Sequence, residues 1–365
     1  SKSFGIHMLL DHTNPSDQKV TVLTSKSFFE EIEQHYHNKL PFVVFRYPNQ
    51  TKLTAFLDLG TYEKSNEKFI VSPFDSSMYF SIHSHKILLI DYKTEIITSE
   101  AKEIEWLDLE NKYIQHTELI RKAICSIQES LLKKVVLATC LQFNGVVNSP
   151  LSYYKRILAQ YTNTFNYILF HPDCGVWMGA TPERLITMSG QRLQTMALAG
   201  TRPYGSSEWG NKEKEEQEFV VREIRNTLKQ YTSSKLIKCS DSETIRAGHL
   251  EHLLTTITAE LSISPIDAAQ ALHPTPAVGG VPKQMALDFI GCHEQLERSL
   301  YSGFLGVVST KKTSLYVNLR CMSIKNYMAK VFVGGGITEK SDPHDEWQEV
   351  MLKAKTMGCI LASEQ

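Results

Sequence analysis

Short apolar runs alternate with charged, periodic stretches along this chain, and each period predicts an element. Alternating or β-branched runs bounded by turn residues predict strands, and apolar positions recurring every three to four residues predict helices. In the first third, residues 20–23, 42–45 and 54–57 read as short strands, and 28–36 and 119–132 as amphipathic helices. From Lys133 the pattern becomes denser. Lys133-Lys134-Val135-Val136-Leu137-Ala138-Thr139 is a β-branched run and predicts a strand. Residues 151–161 follow as a helix, then 165–170, 175–179, 185–188 and 191–198 as strands, with Ser189-Gly190 at a hairpin turn. Residues 211–228 and 265–272 read as helices, 303–309, 314–322 and 329–333 as strands, and 343–361 as a final helix.

Runs of neighbouring strands with helices between them predict an α+β fold with largely antiparallel sheet. The 365 residues would allow two or three domains at ~150 residues each. No repeat, low-complexity tract or Pro/Gly-rich linker divides them, which favours one compact body, residues 1–365. Within it, 1–130 is the less informative part and 131–365 holds the chemistry-bearing motifs.

Composition narrows the function. Hydrophobic residues at 42% and charged residues at 22% suit a folded, soluble chain. Thirty-nine Lys and Arg against forty Asp and Glu leave a net charge of −1, which argues against a nucleic-acid binder. No apolar stretch approaches the ~20 residues of a membrane span, and Ser1-Lys2-Ser3-Phe4 does not open a secretory signal. The seven scattered cysteines contain no Cys-x-x-Cys, so a reduced, cytoplasmic setting is expected. His35 with His37, and His83 with His85, lack a nearby third ligand and read as ordinary histidines.

The common nucleotide and hydrolase signatures are absent: there is no P-loop, no Gly-x-Ser-x-Gly and no His-Glu-x-x-His. Gly334-Gly335-Gly336 lacks dinucleotide spacing, yet it would let a ligand approach the backbone; a plain strand-end turn is the alternative. Two Glu-x-x-Glu units stand out, Glu213 with Glu216 and Glu346 with Glu349. Residues at i and i+3 share a helix face, and Asp342-Pro343 is a good start for the second helix. Four gathered carboxylates would need a cation, and Mg²⁺ suits oxygen ligands. A solvated helix face explains the first unit equally well. Lys134 and Glu183 are a potential base and acid only if burial shifts their pKa values, which spacing alone does not reveal.

Taken in order, several blocks resemble the chorismate-utilising enzyme family, and within it the isochorismate synthases. They are Lys134-Val135-Val136-Leu137, Gly179-Ala180-Thr181-Pro182-Glu183, Leu198-Ala199-Gly200-Thr201, Lys212-Glu213-x-x-Glu216, Leu272-His273-Pro274-Thr275-Pro276-Ala277-Val278-Gly279-Gly280, Tyr301-x-Gly303-x-x-Gly306, Leu319-Arg320, Gly334-Gly335-Gly336-Ile337 and Glu346-Trp347-x-Glu349. The resemblance runs from Lys133 to the C-terminus. It implies the anthranilate-synthase large-subunit fold, two packed antiparallel sheets with helices outside.

The resemblance also implies a chemistry. In the water-adding members a Lys stands at the place of Lys134, whereas anthranilate synthase has Gln there. Ala199 replaces the Lys of the covalent aminodeoxychorismate synthases. Lys134 would act as general base on water attacking C2 of chorismate, and Glu183 as general acid on the departing C4 hydroxyl. Glu216 and Glu349 would bind Mg²⁺, with Glu213 and Glu346 beside them. Arg320 and Tyr301 would hold the enolpyruvyl carboxylate, while Gly334, Gly335, Lys353, Thr201, Gly200 and His273 would complete the substrate site. The product would feed menaquinone or siderophore synthesis, and no glutamine amidotransferase partner is expected. Salicylate synthase, or a catalytically silent chorismate-binding subunit, is the alternative. The 33 residues from Glu183 to Glu216 are fewer than the family pattern has, so Glu215 and Glu218 compete for the first carboxylate pair.

Overall fold

The computed structural model describes residues 19–75, 78–94, 103–247 and 250–362. The first stretch contains β1 (Lys19–Val22), α1 (Ser25–His37), β2 (Phe42–Arg46), β3 (Lys52–Leu57) and β4 (Glu67–Ser72). Next come β5 (Phe80–His83), β6 (Lys86–Asp91), α2 (Leu109–Glu129), β7 (Lys134–Asn144), α3 (Pro150–Gln160), β8 (Phe165–His171), β9 (Gly175–Thr181), β10 (Arg184–Ser189) and β11 (Arg192–Pro203). The chain continues through α4 (Asn211–Leu228), β12 (Ile237–Cys239), β13 (Glu243–Ala247), β14 (Leu250–Glu260), α5 (Pro265–Leu272), β15 (Gly280–Val281) and α6 (Lys283–His293). It ends with β16 (Phe304–Ser309), β17 (Thr313–Val317), β18 (Cys321–Lys325), β19 (Met328–Ile337) and α7 (Pro343–Ala362).

The strands form two sheets. One has the order β1-β6-β3-β2-β8-β9-β18-β19-β7-β15, and the other β12-β14-β11-β10-β17-β16-β4-β5, with β13 added on β14. The β1–β6 pair is parallel and the other described pairs are antiparallel. Alternation along each strand sends one set of side chains between the sheets and the other outward. Val43 and Phe45 of β2 join Phe69, Phe165, Trp177, Tyr316 and Phe332 in the inner core. Phe42 and Val44 face α1, α3 and α7 instead. Helices α4 and α5 cover the outer face of the second sheet, and α2 and α6 cover β7. The expected α+β arrangement of two packed, mostly antiparallel sheets with outer helices is therefore present. The N-terminal part is woven into both sheets, since β2 pairs with β8 and β4 with β16.

One departure from the sequence pattern matters for the site. The single strand expected over 314–322 is two strands: β17 belongs to the second sheet and β18 to the first. The break falls at Asn318-Leu319-Arg320, where Arg320 takes φ 49°. A non-glycine residue in this region needs surrounding structure to hold it. The chain makes the same change of sheet between β9 and β10, at Pro182-Glu183. The two crossovers lie side by side: Val317 N–H donates to Glu183 O (3.0 Å) and Ala180 N–H to Arg320 O (3.0 Å). Helix α2 begins at Leu109, ten residues before the predicted start. Strands β4, β6 and β14 carry no counterpart in the sequence reading.

Candidate active site

Lys134 opens β7, paired with Val281 of β15. Its stem runs over Gly336, where a Cβ would stand 2.7 Å from Lys134 Cε. Burial lowers its pKa, opposed chiefly by the charges of Glu216 and then Glu183. Glu183 sits on the β9–β10 crossover and shows the opposite shift. Burial raises it to about 7, against the pull of Lys134, Arg320 and Lys353. An amine pushed towards neutrality thus lies within electrostatic reach of a carboxyl pushed towards protonation.

Arg320, on the second crossover, directs Nη1 to Thr356 Oγ1 of α7 (3.4 Å). Burial depresses its pKa, and Tyr301, Tyr161, Glu183 and Glu349 are the groups that sustain its charge. Tyr301 is buried with its ring stacked on Phe332. Its hydroxyl occupies the space beside Gly334, where a Cβ would stand 2.5 Å away. Burial also raises the Tyr301 pKa, so the phenol stays protonated.

Helix α7 brings its carboxylates from the other side. Asp342 caps it, accepting from Asp345 N–H at 3.0 Å, so Pro343 stands at the first helical position. Glu349 pairs with Lys353 (2.9 Å), and Lys353 also donates to Gly334 O (3.1 Å). Gly335 faces Glu346, whose pKa is raised to about 7 by burial and by Glu349. On α4, Glu213 and Glu216 are half-buried whereas Glu215 and Glu218 are exposed. The inward register is therefore 213/216, and Glu216 is the larger charge acting on Lys134. Glu213 turns back towards its helix start, where a Cβ on Gly210 would stand 2.5 Å from its Oε2.

Gly200 takes φ 69° at a bulge in β11 and lies against Glu213 and Trp209. Thr201 follows it opposite His252 of β14; its side chain is outside the described residues. His252, which the sequence reading gave no role, bonds through Nδ1 to Gly200 O (3.1 Å). The charges that act on it are Lys353, Arg320 and Glu349, which places it on this cleft. Nothing in the local pattern signals it, because β14 also carries Glu251, Thr255, Thr256, Thr258 and Glu260.

His273, expected at the substrate, has a buried setting. It is 2% exposed, its Nε2 bonds to Ser302 O at 2.7 Å, and its ring meets Phe74 and Phe304 edge-on. Burial lowers its pKa to about 4, and Lys283 and Arg298 are the charges that act on it.

The carboxylates offer hard oxygen donors of the kind Mg²⁺ takes. The like-charge effect of Glu349 on Glu346 is the strain a cation would relieve. Among the described residues, however, no three such side chains are gathered closely enough to hold a metal ion. The donor set fits by chemistry, with Glu349 committed to Lys353 in this arrangement.

Two packed sheets with outer helices set Lys134, Glu183 and Arg320 near the two crossovers, with the carboxylates of α4 and α7 beside them. The family model for chorismate binding enzymes matches residues 85–362, and the chain belongs to that family. It is 30% identical over 264 residues to the isochorismate synthase MenF of Escherichia coli, covering 68% of this chain and 60% of that one. It is 33% identical over 254 residues to the salicylate biosynthesis isochorismate synthase of Pseudomonas aeruginosa, covering 65% and 52%. The chain thus spans less than two thirds of the length of these relatives. The fold matches the menaquinone-specific isochorismate synthase structure of Escherichia coli with TM-score 0.72, at 22% identity over 88% of each chain. It matches anthranilate synthase component I of Streptococcus pneumoniae with TM-score 0.66, at 17% identity over 87% of this chain and 90% of that one. Among the described residues no helix is long and apolar enough to cross a membrane.

Proposed function

We propose that this protein is an isochorismate synthase, converting chorismate to isochorismate. The observation that carries the reading is the pair of opposed shifts in one cleft, Lys134 down and Glu183 up to about 7. Two groups pushed apart in pKa are what acid–base assignment looks for. Lys134 removes a proton from a water that bonds to C2 of the ring. The ring double bonds shift, the C4–oxygen bond breaks, and Glu183 protonates the departing hydroxyl as water. One water enters and one leaves, so the net change is an isomerisation. Arg320, with its planar fork, and Tyr301 bind the enolpyruvyl carboxylate. Gly334 and Gly335 offer backbone N–H groups, Gly200 and Thr201 adjoin the substrate, and Lys353 adds positive charge beside the anionic substrate. Mg²⁺ is the proposed cofactor, held by Glu216 and Glu349 with Glu213 and Glu346 adjacent; when bound it supplies positive charge to the ring carboxylate.

Incubation with chorismate and Mg²⁺, followed by product analysis, tests the reading. Isochorismate as sole product is expected. Pyruvate together with fluorescent salicylate would make the protein a salicylate synthase, and no turnover would make it a silent binding subunit. The pathway served, menaquinone or siderophore, would be read from which lyase or synthase consumes the product in a coupled assay.

A further inference from the structure

Glu294 and Arg298 lie just beyond α6 and form an ion pair whose side chains are 1% and 3% exposed. Arg298 Nε donates to Glu294 Oε1 at 2.6 Å and Nη2 to Oε2 at 2.9 Å. The pair's other polar contacts end on segments that carry the site. Nη2 donates to Val136 O (2.7 Å), and Nη1 to Val278 O (3.2 Å) and Ser302 Oγ (3.1 Å). Glu294 Oε2 also accepts Ala138 N–H (2.9 Å). Tyr301 N–H donates to Arg298 O (3.0 Å). The guanidinium carbon of Arg298 stands over the Phe74 ring, 4.2 Å from its centroid.

These contacts fall where β7 would otherwise be open. Its outer edge is covered by β15 only at Lys134 and Val135. Val136 N–H still reaches Gly279 O, after which Val136 C=O and Ala138 N–H face outward. The carboxylate and the guanidinium satisfy both. An apolar pair of similar volume would avoid the desolvation cost of two buried charges and is often no less stable. What an apolar pair lacks is directed bonds to two separate backbone carbonyls, Val136 and Val278, and to the Ser302 hydroxyl, which the forked guanidinium supplies.

We propose that the Glu294–Arg298 pair is a positioning pair for the reaction. It locks the strand that carries Lys134 against residues 278–281 and against the turn that carries Tyr301. The base and the carboxylate-binding side of the cleft are thereby held at a fixed separation. The proposal rests on the reading of Lys134 as the base.

Three variants test it: the double replacement Glu294→Leu with Arg298→Met, the single Arg298→Lys, and Lys134→Ala. The double variant keeps the volume and removes the buried charges but leaves Val136 C=O and Ala138 N–H without these partners, so it is expected to fold with a melting temperature lowered by several degrees. Its kcat should fall at least tenfold while KM changes less than threefold. Arg298→Lys keeps the charge without the fork and should show the same split to a smaller degree; it carries the test if the double variant does not fold. A folded double variant, or failing that Arg298→Lys, with kcat within twofold of the parent would overturn the positioning role alone. Turnover retained in Lys134→Ala would overturn the base assignment and the proposal with it.

Discussion

Gly336 leaves open the space that the Lys134 stem fills, a Cβ there standing 2.7 Å from Lys134 Cε. The two residues belong to adjacent strands, β19 and β7, paired in register from Met328 opposite Asn144 to Ile337 opposite Val135. A side chain at 336 must therefore move the ammonium or the strand. Gly336→Ala is expected to lower kcat roughly 10- to 100-fold, the effect of misplacing a reacting group by about an ångström. The accompanying loss of stability should be about 1–3 kcal/mol, as for overpacking, measured by urea unfolding. Unchanged kcat would mean that the Lys134 ammonium is not held by this contact.

The Lys134 charge pulls the Glu183 pKa down from where burial alone would put it. Lys134→Gln should therefore raise the Glu183 pKa above about 7. Carbon-13 titration of labelled glutamate carboxyls reads this directly, with Glu183→Gln identifying the resonance. A downward shift would show that the two groups do not share a cleft.

Glu183 is a carboxyl whose folded-state pKa, about 7, lies above its ordinary value of 4.5. The unfolded chain ionises it more easily, so stability is full below about 4.5 and declines as pH rises through about 7. Removing the charge should reverse this. In metal-free protein, Glu183→Gln should match the parent at pH 4.5, gain on it as pH rises, and lead by a few degrees at pH 8, on the order expected when a functional strain is relieved. Turnover should be lost. Thermal melts across this range check it, and an advantage already complete at pH 4.5 would contradict the assigned shift.

Much of the site was legible because its residues sit in blocks with distinct local character. The β-branched run at Lys134 and the charged amphipathic helix around Glu213 and Glu216 declare their elements, and Asp342-Pro343 declares the start of α7. The break at Arg320 was not legible. Leu315-Tyr316-Val317-Asn318-Leu319-Arg320-Cys321-Met322 stays largely apolar through the crossover, since both sheets bury this segment, and alternation carries no mark of a change of sheet. Glu294 and Arg298 were equally silent. In sequence they resemble any solvated charges after a helix, and only the tertiary fold shows them buried against β7.

The inward register of α4 gives the sharpest test of the metal site. Glu216 is half-buried and acts on Lys134, whereas Glu215 and Glu218 point to solvent. If the carboxylates hold Mg²⁺ as proposed, EDTA should abolish turnover and added Mg²⁺ restore it. Glu216→Gln and Glu349→Gln should each weaken Mg²⁺ binding at least tenfold, because replacing a hard anionic oxygen by an amide oxygen removes both charge and a strong ligand. Glu215→Gln and Glu218→Gln should leave it within twofold. Calorimetric titration of Mg²⁺ into each variant, with and without chorismate, separates binding from catalysis. Loss at Glu218→Gln with Glu216→Gln unaffected would move the register by two residues, and turnover undiminished in EDTA would remove Mg²⁺ from the reaction altogether.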